Sequence, residues 1–147
     1  MRVTIDPRIH DAVIFDLDGV VTDTASIHAA AWALMFNDFL QRRQARNGED
    51  HSPFTGDDYR HFVDGKARGD GVTDFLASRG ISLPPGSPGD GTDDTISGLG
   101  ERKQEMFLES LHAGVPVFES TVVLVRKLAD AWVATASTRR VATASES

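Results

Sequence analysis

The sequence contains no cysteine, which excludes disulfide bonds and thiolate metal sites and fits a reducing, cytoplasmic location. No apolar run approaches the roughly 18 to 20 residues that span a bilayer. Asp6 and Pro7 interrupt the N-terminal stretch where a signal peptide has its apolar centre. Basic residues are also scarce, 15 against 22 acidic ones, for a net charge of −7. We therefore expect neither nucleic acid nor a membrane as partner, because both favour basic surfaces.

What the sequence does contain is one stretch with the composition of a reactive site, "AVIFDLDGVVTDT" at residues 12–24. Its first four residues are apolar, which predicts a strand buried on both faces of a parallel sheet. Asp16 would then lie at the carboxyl end of that strand, where ligand sites form in open α/β sheets.

Two carboxylates follow this strand, on Asp16 and Asp18. They point to the same side while the backbone stays extended. Such a pair can hold a hard cation such as Mg²⁺, or one carboxylate can attack phosphorus while the other moves a proton. Asp and Gly are also the usual residues of turns, so the tetrapeptide D-L-D-G alone leaves the turn interpretation open. The apolar strand before it and Thr22-Asp23-Thr24 after it favour chemistry.

Between this strand and a second one the chain is mostly helical. Apolar spacing and capping residues predict five helices: they cover residues 26–46, 57–63, 70–79, 99–112 and 120–130. Residues 84–94, "PPGSPGDGTDD", predict an exposed loop. Residues 131–137, "AWVATAS", predict the second short buried strand. The pattern is that of an α/β protein with a helical insertion.

The stretch "FDLDGVVTDTASIHAAAW", residues 15–32, resembles the first motif of the haloacid dehalogenase superfamily. It is most similar to the β-phosphoglucomutase group, including the hydrolase-like modules of actinobacterial trehalose metabolism. The resemblance implies a partial Rossmann-like core, residues 1–25 and 119–147, with a helical cap, residues 26–118, inserted after the first strand. It also implies Mg²⁺-dependent phosphoryl transfer or hydrolysis on a sugar phosphate through an aspartyl-phosphate intermediate.

The same resemblance assigns roles to the core residues. Asp16 is the nucleophile, Asp18 the general acid and base, and both contribute to the Mg²⁺ site. "VATAST", residues 133–138, resembles the second motif, which assigns Ser137 the hydroxyl that binds the transferring phosphoryl group. Thr138 or Thr135 takes that role if the register differs, and an ordinary strand-end hydroxyl explains this stretch equally well.

Four cap residues are assigned to substrate binding in the same way. His28 and Trp32 are four apart on one helix face. "VDGKAR", residues 63–68, resembles the segment whose arginine, here Arg68, grips the distal phosphate, and "GERKQ", residues 100–104, resembles the one supplying a phosphate-contacting lysine, here Lys103. Core packing is the alternative for Trp32, and a solvated side chain is the alternative for His28 and Lys103.

The family's third and fourth motifs, a lysine and an acidic segment, have no counterpart after Ser137. The remaining "TRRVATASES" contains no lysine and one acid, Glu146, while Lys66, Lys103 and Lys127 all come earlier. We therefore expect an N-terminal piece of a longer protein or a shortened gene product. Its partner would be a C-terminal continuation or a fused glycosidase-type domain.

Three functions fit these residues. The first is a β-phosphoglucomutase-like mutase, which returns the phosphoryl group to another hydroxyl of the sugar. The second is a sugar phosphatase, for instance on trehalose 6-phosphate, which passes the group to water. The third is no enzyme at all, but an inactive fragment or a sugar-phosphate-binding module of a larger polypeptide. His28, Arg68 and Lys103 match the mutase register, so the mutase is the leading interpretation. The missing lysine is the reason for the third, because losing one charged partner in such a site costs orders of magnitude in rate.

Overall fold

A computed structural model describes residues 5–131 and 134–138, the latter stretch by its backbone alone except at Thr135. Each predicted helix and both predicted strands are present there, with ends shifted by a few residues. In chain order the elements are β1 (Ala12–Asp16), α1 (Thr24–Arg42), α2 (Gly56–Asp58), a π-helix (Tyr59–Val63), α3 (Arg68–Ser78), α4 (Ile96–Ala113), α5 (Glu119–Asp130) and β2 (Ala134–Thr138). Residues 84–94 contain no helix or strand and are largely exposed, as predicted.

The chain divides into two compact units. The core unit comprises the residues up to 25 and from 115 onward, and the cap unit comprises Ser26–Gly114. This places the second boundary four residues before the predicted one at 118. None of the helices in the described part of the chain has the length and apolar content needed to cross a membrane.

The core unit is built on a parallel pair of strands. β1 and β2 pair in register from Ala12 with Ala134 to Asp16 with Thr138. α5 precedes β2, and its Leu128 is buried together with Phe15 of β1. Four partly buried apolar residues pack against these two: Ile5, Val13, Val21 and Val125. In the part of the chain that the structure describes, this arrangement is a small α/β layer with two side chains at its buried centre.

One prediction for β1 is wrong. The apolar run 12–15 predicts burial on both faces, but Ile14 is 68% exposed while its neighbour Phe15 is buried. Successive strand residues point to opposite faces. Phe15 therefore lies on the face that packs with Leu128, and the face carrying Ile14 is uncovered in the described structure.

The cap unit has a larger core, rich in aromatic rings. Phe36 of α1 lies 4.2 Å from Phe75 of α3 and 5.1 Å from Phe54, measured between ring centroids. Such offset and tilted ring pairs add favourable electrostatics to the burial of their surface. The full set of buried residues is Trp32, Met35, Phe36, Phe39, Leu40, Phe54, Val63, Val72, Phe75, Leu76, Ile81 and Leu99. This helical unit therefore has a continuous core of its own.

α1 ends at Arg42, four residues before the predicted end at 46. The Arg43 side chain donates two hydrogen bonds to the Glu49 carboxylate, at 3.0 and 2.8 Å. Residues six apart do not meet on a continuous helix, so this pair requires the chain to turn back between them. The turn places Gly48 at φ 87°, a backbone conformation that glycine adopts readily.

Candidate functional site

The segment after β1 forms a tight turn that begins at Leu17, the first residue after the strand. The backbone N–H groups of Val21 and Thr22 both donate to the carbonyl of Leu17, at 3.0 and 2.9 Å. Gly19 donates to the Thr22 carbonyl at 2.8 Å and has φ 78°. Only glycine reaches this conformation without a steric penalty, so the last three residues of D-L-D-G belong to a turn. That turn also leaves Asp16 at the strand end.

The two carboxylates of this segment have different environments. The Oδ1 atom of Asp16 is buried and, among the described residues, no group donates a hydrogen bond to it. Asp18 is exposed, and its Oδ1 accepts a hydrogen bond from the Thr24 hydroxyl at 3.3 Å. A buried carboxylate oxygen without a donor is costly, and such orphans mark places where an ion or ligand group is expected. The unpaired oxygen of Asp16 therefore fits a cation or a donor group of a substrate.

A metal ion at this place would rely on few protein ligands. In the described part of the chain no group of three or more His, Cys, Asp or Glu side chains is arranged to hold a metal ion. Mg²⁺ commonly uses one or two carboxylates and keeps several waters. Asp16 and Asp18 fit that donor set.

Three residues of β2 could supply the hydroxyl that binds the phosphoryl group. Ser137 pairs with Phe15, Thr138 pairs with Asp16, and Thr135 pairs with Val13. The side chains of Ser137 and Thr138 lie outside the described residues. The assignment of the phosphoryl-binding hydroxyl to Ser137, or to one of the two threonines, stays a prediction.

The four predicted cap residues lie together. His28, Trp32, Arg68 and Lys103 line a single pocket of about 250 Å³, which we call the cap pocket. The rest of its lining is Tyr59, Val63, Gly65, Lys66 and Gln104. The pocket draws on α1, the π-helix, α3 and α4. All of these elements belong to the cap unit.

Lys103 is the buried cation of the cap pocket. Its residue surface is 4% exposed, so the solvated alternative for this lysine is wrong. Its Nζ lies 2.8 Å from His28 Nδ1, 5.4 Å from the centroid of the Trp32 ring and 4.8 Å from that of the Phe107 ring. Burial, and secondarily the charge of Arg68, lowers the pKa of Lys103 to about 8.

Arg68 is an exposed cation of the cap pocket. Its guanidinium donates to Gln104 Oε1 at 2.8 Å. Its stem runs past Gly100, where an added Cβ would lie 3.0 Å from Arg68 Cδ. The small residue on α4 thus leaves room for the arginine. Lys66 beside it forms an ion pair with Asp74.

The remaining alternatives for His28 and Trp32 are decided by packing. Trp32 is 6% exposed and stacks on Phe36, with ring centroids 5.4 Å apart, so it is a core residue that also lines the pocket. His28 stacks on Phe107 at 3.9 Å with the ring planes 11° apart. It is therefore held by neighbours rather than solvated on all sides.

Sequence reasoning missed Tyr59, Gln104 and Phe107. Phe107 has a visible signal, because it lies four residues after Lys103 on the same helix, whereas Gln104, the adjacent residue, does not share a helix face with Lys103. Tyr59 has none, since its place in the pocket depends on the fold of the π-helix. Burial, followed by the charge of Asp64, raises the pKa of the Tyr59 phenol.

Comparisons with known proteins point to one protein family. A family model described as haloacid dehalogenase-like hydrolase matches residues 10–144. An uncharacterized glycosyl hydrolase of Mycobacterium tuberculosis is 53% identical over 134 residues, 91% of this chain and 10% of that protein. A β-phosphoglucomutase of Mycobacterium bovis is 48% identical over 123 residues, 82% of this chain and 47% of that protein.

The fold has a counterpart among solved structures. A Thermotoga maritima protein proposed to be a β-phosphoglucomutase superposes with a TM-score of 0.57 at 18% identity, over 88% of this chain and 49% of that one. This likeness shows the fold, a partial α/β core of the Rossmann-like type with a helical cap inserted after the first strand. The chain spans about half of the β-phosphoglucomutase relative and a tenth of the glycosyl hydrolase relative.

Proposed function

This chain belongs to the haloacid dehalogenase-like hydrolase family, and on that premise we propose that it transfers the phosphoryl group of a sugar phosphate. The class of substrate is proposed from the β-phosphoglucomutase relative, which is 48% identical. The single observation that carries the proposal is the buried Oδ1 of Asp16, which no described group hydrogen-bonds at the end of β1.

The proposed chemistry has two steps. A carboxylate oxygen of Asp16 attacks phosphorus, forming an aspartyl phosphate as the phosphorus–oxygen ester bond breaks. Asp18, in its protonated form, gives a proton to the departing sugar oxygen. Asp18 then takes a proton from the second nucleophile, which removes the phosphoryl group from Asp16. That nucleophile is another sugar hydroxyl in a mutase and water in a phosphatase.

Asp16 would hold Mg²⁺ through its carboxylate and Asp18 through its backbone carbonyl, which leaves the Asp18 carboxyl available to carry the proton. When bound, the cation supplies positive charge that stabilises the oxygens of the transferring group. The backbone of β2 brings Ser137 and Thr138 into register with Phe15 and Asp16. A hydroxyl from this pair is proposed to bind the same phosphoryl group.

The cap pocket is proposed to bind the rest of the substrate. Arg68 and Lys103 supply two cations, and a planar guanidinium suits bidentate contact with a phosphate. Trp32 and His28 line the same pocket beside Lys103. Because the pKa of Lys103 is about 8, its charge is lost as the pH rises through that value. Anion binding in this pocket should weaken over the same range.

The test is phosphate release from a panel of sugar phosphates, including trehalose 6-phosphate, with and without Mg²⁺. Asp16→Asn is compared with Asp11→Asn, which makes the same change next to the opposite end of β1, at an exposed residue. We expect Mg²⁺-dependent turnover in the wild type and in Asp11→Asn. In Asp16→Asn it should fall by a factor on the order of 10³ or more.

Full turnover in Asp16→Asn would overturn the nucleophile assignment. Conversion to an isomeric sugar phosphate without phosphate release would favour the mutase over the phosphatase. A folded wild-type chain without either activity would contradict the catalytic proposal.

A second candidate is a sugar-phosphate-binding module without turnover. It is favoured by the fact that the cap pocket is assembled entirely within Ser26–Gly114, the unit with the larger core. In that case a glycosyl hydrolase-type segment of the same polypeptide, as in the longer relative, is the proposed partner. Calorimetric titration combined with the phosphate-release assay distinguishes this candidate, because the wild-type chain would bind a sugar phosphate, and lose that binding in Arg68→Ala, without converting it.

A further inference from the structure

A phenylalanine ring on α4 contacts the buried lysine of the cap pocket, although this ring does not line the pocket itself. Phe107 lies one helical turn after Lys103, and residues four apart on a helix are neighbours. The Phe107 ring stacks on the His28 imidazole at 3.9 Å, and the Lys103 Nζ lies 4.8 Å from its centroid. One ring therefore contacts both members of the Lys103–His28 pair.

The hydrogen bond between the two members has a defined direction below about pH 8. There Lys103 is an ammonium group, since its pKa is about 8. An ammonium has three donors and no acceptor. His28 Nδ1, 2.8 Å away, must then be the acceptor and carry no proton. When the imidazole is neutral, its ring proton is consequently on Nε2.

We infer that Phe107 is a positioning residue, whose ring holds Lys103 and His28 in one arrangement with Nδ1 of His28 as the acceptor. The inference rests on the proposed function, in which Lys103 and His28 bind the substrate. Trp32 supplies a second aromatic surface, 5.4 Å from the Lys103 Nζ. With the side chain of Lys103 held between two rings, its ammonium stays in the pocket rather than extending into water.

Two observations separate this role from ordinary packing. Phe107 is only partly buried and is not among the residues of the cap core. Its near-parallel contact with His28, 11° between planes, and its cation–π contact with Lys103 both use the flat face of the ring. A leucine fills similar space but offers no such face.

The experiment compares Phe107→Leu, which removes the ring, with Phe107→Tyr, which keeps it. Leu108→Ala, at an exposed neighbour on α4, is the control for the helix. The pH titration of Lys103 is followed by carbon-13 NMR of the full chain, which has three lysines to resolve. Nitrogen-15 spectra of His28 report which ring nitrogen is protonated. The other titratable groups lining the pocket, besides Lys103 and His28, are Tyr59, Lys66 and Arg68.

In the wild type, Phe107→Tyr and Leu108→Ala, we expect Lys103 to titrate near 8 and Nδ1 of His28 to be unprotonated at neutral pH. In Phe107→Leu no ring face attracts the ammonium, which then extends into water. Its pKa should therefore rise from about 8 towards 10.5, since burial is the main cause of the depression. The His28 nitrogens should then show an average of both tautomers.

A protonated Nδ1 in the wild type would overturn the inference without any variant. So would wild-type signals in Phe107→Leu, or Phe107→Tyr behaving like Phe107→Leu. These spectra need no turnover, whereas the phosphate-release assay needs no assigned histidine. Failure of the positioning role is therefore distinguishable from failure of the proposed function.

Discussion

The cap unit and the core unit differ in how completely they bury their apolar residues. The cap unit has twelve buried residues in one cluster, with three phenylalanine rings in mutual contact. Among its described side chains the core unit buries two in its cluster, Phe15 and Leu128, and leaves apolar side chains such as Ile14 and Leu124 exposed. Stability of a small unit depends on the apolar area it removes from water, so the described contacts favour the cap unit as the more stable one.

The two units also place their functional residues by different means. Asp16 and Asp18 are positioned locally, by the end of one strand and a glycine turn. Lys103 and Arg68 are positioned by packing, since the pocket they line draws on several helices. A substitution in the cap core should therefore disturb the pocket, whereas the aspartate turn depends on few neighbours.

The largest effect should come from Phe36→Ala in the cap core. Phe36 is fully buried against three other rings, so its removal leaves a cavity and should lower the free energy of unfolding by about 3 to 5 kcal/mol. Phe15→Ala, the matched change in the core unit, should cost less, about 2 kcal/mol, because fewer buried neighbours surround it. Urea denaturation combined with hydrogen exchange of peptides from each unit measures both. Equal costs would remove the distinction between the units.

An intermediate loss of stability should come from Thr95→Ala at the start of α4, the helix that carries Lys103. The Thr95 hydroxyl accepts a hydrogen bond from the Gly98 N–H at 3.0 Å and caps the helix. Losing this cap should cost about 1 kcal/mol, and Thr95→Ser should restore most of it. Thermal unfolding of the three chains checks the order. Serine behaving like alanine would show that the methyl group, not the cap, matters.

The smallest effect should come from Leu124→Ser on α5 of the core unit. Leu124 is 40% exposed, so the change should alter the free energy of unfolding by less than about 0.5 kcal/mol. Chemical denaturation of the two chains side by side measures it. A loss above about 2 kcal/mol would mean that this side chain is buried in solution, for instance against a second copy. The comparison of the two units would then need revision.

Much of this architecture is predictable from local patterns. The strand at Ala12–Asp16, the turn at Gly19 and the exposed loop at 84–94 each depend on a few neighbouring residues. The early end of α1 is not predictable in this way, because it depends on the pairing of Arg43 with Glu49. The exposure of Ile14 is likewise invisible in the sequence, where an apolar run cannot show which face is covered.

The amino-acid order alone is sufficient to place two carboxylates at a strand end and to identify the family, since both depend on consecutive residues. It also marks His28, Trp32, Arg68 and Lys103 as a set through motif resemblance. The tertiary structure decides that Lys103 is a buried cation with a pKa of about 8. It also brings Lys103 beside His28 and Phe107, although His28 and Phe107 are 79 positions apart in the sequence. The reason is physical: desolvation and ring contacts arise from distant segments packing together, which no local pattern encodes.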